Sequence, residues 1–182
     1  MLVSLVVAAL TFVYALFFLT GSAAYATQYT GENSINAENF VEQSQGFVSS
    51  MITICIIFIV LAAVMYITSC HSRRNYYITN YIAIGAFAAF ALFIVIYLFV
   101  KVSTTMDLFL NEINWDIVPE KVTALRGEYP MSKSDTYTYA IGYVVAVIVL
   151  ADAALLVLNV VWKYLLMKGE KQLLEGSVKE VA

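Results

Sequence analysis

The chain alternates between four long apolar runs and short polar stretches. Apolar residues dominate at about 2–20, 47–68, 76–100 and 137–166. A helix needs roughly 20 residues to cross a bilayer core, and each run is close to or above that length. Between them lie 21–46, 69–75 and 101–136, and a charged tail follows at 167–182. This pattern predicts a single membrane domain over 1–182, an all-α integral membrane protein built as a four-helix transmembrane bundle.

Finer periodicities refine the boundaries. Asn36 reads as an N-cap, and Phe40, Val41, Phe47 and Val48 after it predict that the second helix starts as an amphipathic entry before the membrane. In the third polar stretch, Met106, Phe109, Leu110 and Ile113 recur at helical spacing, which predicts a short amphipathic surface helix with Trp115 as its interfacial anchor. Pro119 suits a first helical position and Gly127 a stop, so a second short helix is expected between them. Together these make a cap of short amphipathic helices outside the membrane.

Charge orients the bundle. The turn Cys70-His71-Ser72-Arg73-Arg74-Asn75 carries two arginines, and Arg73 and Arg74 therefore serve as topology anchors on the cytoplasmic side. Thr27 to Gly46 contains Glu32, Glu38 and Glu42 but no Lys or Arg, so it is expected outside. From Lys101 to Thr136, four basic residues face six acidic ones, and the tail has four lysines from Lys163 onward against three glutamates. Those balances put the second loop outside and the tail inside, with both termini cytoplasmic if the first helix is retained. Ala24 and Ala26 are spaced like a signal-peptidase site, but the segment has no basic start and its apolar core is long for a signal peptide. Retention is the expectation, with a cleaved leader as the alternative.

Composition narrows the chemistry. The 182 residues are 62% hydrophobic and 13% charged. Soluble domains carry about 25% charged residues, so the bilayer is the solvent for much of this chain. Net charge is −3 with one histidine, which supplies no basic footprint for nucleic acid and no multi-histidine metal or haem set. Cys55 and Cys70 sit fifteen residues apart on one expected helix, too far along its axis to bridge. The acidic residues of 101–136 match no calcium-loop spacing, and no HExxH, GxSxG or Walker pattern occurs. The chain is therefore read as no enzyme, with no cofactor or metal, no nucleic-acid partner and no feature that identifies a small-molecule substrate.

What remains is polar chemistry at depth. Asp152 lies at the centre of the fourth run, near the bilayer midplane, where an ionisable group is costly and marks a functional site by default. Gly142, Ala146, Val149, Asp152, Leu156, Asn159 and Lys163 share one broad helix face. Asp152 and Asn159 thus form a candidate intramembrane polar site, with Thr11, Tyr14, Thr53, Tyr66 or Tyr97 as hydrogen-bond donors. Three roles stay open for Asp152: a neutral clamp between helices, a contact with a group on another subunit, and a proton or cation relay. Gly85 and Ala89, like Gly142 and Ala146, are small residues four apart that suit close helix packing, and Ser4, Ala8, Thr11 and Ala15 form a similar stripe. Small faces on three helices suggest more packing surface than one bundle needs. Two functions follow as expectations. The first is a non-catalytic accessory or assembly subunit of a larger membrane protein complex, in contact with lipids and other membrane subunits. The alternative is a small channel or transporter component that uses Asp152 as a proton or cation site.

Overall fold

The computed structural model describes residues 1–26, 38–70, 76–113, 115–116, 121–124, 127–130 and 133–181, apart from the side chains of 20–26, 38, 76–78, 121–130, 167 and 170–181. It contains α1 (Leu2–Ala26), α2 (Glu38–Cys70), α3 (Tyr76–Asn111), β1 (Lys121–Ala124), β2 (Gly127–Pro130) and α4 (Tyr137–Val181). Each of the four helices holds a stretch long and apolar enough to cross a membrane. The chain is an integral, multi-pass membrane protein with the all-α four-helix architecture that the hydropathy pattern predicts.

The helices run alternately up and down. Each packs on its neighbour in the chain, and α4 closes the ring against α1. Ring contacts fix the register: Phe18 meets Phe47, Phe58 stacks on Phe87 at 4.6 Å, and Phe99 meets Tyr143. At one end, Phe18, Phe40, Phe47, Phe109, Trp115 and Tyr139 form a continuous chain of ring contacts drawn from every helix. Offset and edge-on contacts of this kind add to the area that the rings bury. In hydrocarbon there is little hydrophobic drive between helices, so tight packing of such side chains carries much of the association.

Two departures from the sequence pattern lie at that end. The third helix does not stop near residue 100 but continues unbroken to Asn111, so the stripe of Met106, Phe109, Leu110 and Ile113 belongs to α3 and its immediate end. Phe109 and Ile113 are buried in the core, and Trp115 folds back so that its Nε1–H donates to the Phe109 carbonyl at 3.1 Å. The helical period is real, but it marks a bundle-facing extension and not a separate surface helix. Where a helix is expected between Pro119 and Gly127, the chain makes an antiparallel hairpin that pairs Lys121 with Pro130 and Ala124 with Gly127. Val122, Thr123 and Tyr129 favour extended backbone, and Gly127 opens the second strand. The other end also differs. α4 continues past Leu166 to Val181, which makes the charged tail helical. Asn36, Pro119 and the arginine turn lie outside the described residues.

Candidate functional site

Asp152 stands at the middle of the span Tyr137–Leu166, and it is only 6% exposed. Its position follows from α4's inward face, where Gly142, Ala146, Val149, Ala153 and Leu156 are also buried. Opposite it, the fully buried Ser4 lies in the first turn of α1, and its hydroxyl donates to Asp152 Oδ1 at 3.1 Å. The other oxygen, Oδ2, is buried with no hydrogen-bond partner among the described residues. A buried acceptor left in that condition loses its hydration without replacement, a cost it shares with Ser44 Oγ and Glu112 Oε2.

The donor is therefore Ser4, which the sequence marks only as part of a small-residue stripe. The donors anticipated from sequence are used elsewhere. Thr11 bonds back to the Val7 carbonyl at 2.8 Å, and Thr53 likewise to Ser49. Tyr14 donates to the Thr138 carbonyl at 3.4 Å, Tyr97 packs beside Phe47, and Tyr66 is exposed. Because α1 and α4 run antiparallel, the Tyr14 contact at Thr138 and the Phe17 contact at Tyr137 set a register that brings Ser4 to Asp152. No local signal near Ser4 carries that information, since the two residues lie at opposite ends of the chain.

The proposed polar face is split. Asn159 lies two turns beyond Asp152 on the same side of α4, yet it is exposed and has no hydrogen-bond partner among the described residues. Ser4 already sits opposite Asp152, so the next turns of α4 run past the start of α1. The small-residue face divides in the same way. Gly142 and Ala146 are buried, and a Cβ at Gly142 would collide with the Tyr14 hydroxyl and lie 3.0 Å from Val102 Cγ2. Gly142 is thus the point where α1 and α3 both press on α4. Gly85 and Ala89 instead face outward with Ile82, Ala86 and Phe93, and a Cβ at Gly85 would meet nothing within 4 Å.

Buried polar residues elsewhere are Thr11, Ser44 and Thr105. Thr11 and Thr105 are satisfied by carbonyls of their own helices. Among the described residues no three His, Cys, Asp or Glu side chains cluster, and Cys55 and Cys70 are free thiols, one buried and one exposed. A lone carboxyl with one hydroxyl partner can accept or release a proton or bond an incoming donor. Comparison with protein-family models, curated proteins and solved structures finds no match for this chain.

Proposed function

We propose that this protein is a non-catalytic accessory or assembly subunit of a larger membrane complex. The observation that carries the reading is the outward face of α3, where the small residues Gly85, Ala86 and Ala89 lie exposed between Ile82 and Phe93 and a Cβ at Gly85 would meet nothing within 4 Å. Small residues at four-residue spacing let a neighbouring backbone approach closely, which is how membrane helices gain dispersion contacts without a hydrophobic drive. The bundle's own core is already packed by aromatic rings. A surface suited to a helix, on a molecule that needs no further helix of its own, fits a subunit.

Two further features agree with a structural role. The aromatic chain closes one end of the bundle, and the buried Thr11 and Thr105 bond to carbonyls of their own helices and not to Asp152. In this reading the arginine turn and α4's tail face the cytoplasm, and the hairpin end faces outward. The test is purification of the full chain in a mild detergent alongside Gly85→Leu. The wild-type protein should carry a fixed set of other membrane proteins, and Gly85→Leu should lose them while staying helical and monodisperse. Recovery of the same proteins with both forms, or of none with either, overturns the reading.

One observation favours the second function, a proton or cation site at Asp152: the unpartnered Oδ2. That reading predicts ion or proton flux in reconstituted vesicles that Asp152→Asn abolishes. Absence of flux from the wild-type protein rules it out.

A further inference from the structure

We propose that two copies of this chain pair through the C-terminal half of the α4 span, with Asn159 of each copy hydrogen-bonded to Asn159 of the other across a two-fold axis. The amide sits one turn inside Trp162, within the span Tyr137–Leu166, exposed and without a partner among the described residues. Lipid chains offer it no hydrogen bond, so its donors and its acceptor are desolvated at a cost unless protein supplies the other half. The chemistry of the group selects the occupant. An amide both donates and accepts, so two copies related by a two-fold axis satisfy one another, as an isologous contact requires.

The residues around Asn159 fit the same geometry. Leu155 is 64% exposed, Trp162 65% and Leu166 53%, and with Asn159 they follow one another at alternating four- and three-residue steps. That is the spacing of a two-helix seam. A single asparagine within such a seam sets its register and favours one oligomeric state over others. α4 supplies a second argument, because it continues as helix from Leu166 to Val181, beyond the span. In sequence the same three- and four-residue steps continue from Leu166 to Gly169, Leu173 and Gly176. A helical extension of about that length is marginal alone in water, and a paired neighbour that continues the seam would stabilise it.

This pairing uses α4, whereas the assembly reading uses α3, so either can fail without the other. The test uses the full chain in lipid vesicles with the exposed Cys70 replaced, Cys70→Ser. A cysteine introduced at Leu155, Trp162 or Leu166, with the buried Cys55 left in place, should form disulfide-linked dimers under mild oxidation. Cysteines at Val157 and Val161, which are exposed on the opposite side of α4, should not. Light scattering in mild detergent should give a mass of two protomers, with Asn159→Val dissociating roughly tenfold more readily and Asn159→Gln close to the wild type. Asn159 lies outside the core, so these variants keep the monomer fold. A monomeric wild type, a dimer indifferent to Asn159→Val, equal cross-linking on both sides of α4, or cross-links from the Leu155, Trp162 and Leu166 cysteines only to a different protein would each overturn the proposal.

Discussion

At the scale of single residues, Asp152 and Gly142 carry the sharpest expectations. If Asp152 acts as a neutral clamp, Asp152→Asn keeps an acceptor for the Ser4 hydroxyl and should cost little, on the order of 0.6 kcal/mol for an interhelical bond. Asp152→Leu removes that acceptor, and a buried hydroxyl left unpaired adds about 1 to 3 kcal/mol. Thermal unfolding in detergent should rank wild type, Asn and Leu in that order. If Asn proves as damaging as Leu to assembly or flux while unfolding is unchanged, the carboxyl must ionise to work. Gly142→Ala should destabilise by about 1 to 3 kcal/mol, the usual cost of overpacking. The reason is that its Cβ runs into the Tyr14 hydroxyl. Adding Tyr14→Phe removes the clashing oxygen and should recover part of the loss. A double-mutant cycle that shows simple additivity would exclude that contact as the cause. Asp152 is visible in the sequence because a carboxylate amid a long apolar run stands out by itself. Ser4 is not, since a serine becomes a donor to that carboxyl only through the register of two distant helices.

At the scale of elements, α3 shows how periodicity can be right about a face and silent about continuity. The stripe from Met106 to Ile113 is helical and amphipathic, and it faces the core because α2 and α4 extend alongside it. Phe109 is its anchor, fully buried and in contact with Phe40, Trp115 and Tyr139. Phe109→Ala should therefore cost about 3 to 5 kcal/mol. Hydrogen exchange should rise over 102–111 while 84–98 stays protected. Equal loosening along all of α3 would mean that the extension is not a separable unit. The hairpin at 121–130 escapes a sequence reading because Pro and Gly serve as punctuation for both turns and helices. Pairing between Val122 and Tyr129 decides which.

At the scale of the whole molecule, the up-and-down ring sets the start of α1 against the middle of the α4 span, on the side toward α4's long tail and away from the hairpin. In the topology we propose from the lysine and arginine distribution, α4's tail faces the cytoplasm. In intact cells, a cysteine at Ser34 should react with an impermeant maleimide and one at Ser177 should be shielded. The reverse pattern inverts the topology. A mature N-terminus at Thr27, read by intact mass, would instead show that α1 is removed and leave a three-helix protein without the Ser4 contact.

The sequence by itself determined the class, the number of spans and the inward placement of Asp152, because hydropathy and the cost of charge in hydrocarbon act locally along the chain. Small residues at four-residue spacing were equally legible as candidate packing faces. Whether each such face is spent inside the bundle or left outside was not. Gly142 meets Tyr14 and Val102, Gly85 meets nothing, Asp152 meets Ser4, and Asn159 is left bare among the described residues. Those outcomes depend on which helix lies beside which, and at what register. Only the packed tertiary structure decides that, since interhelical contact is a property of two segments and helical period a property of one.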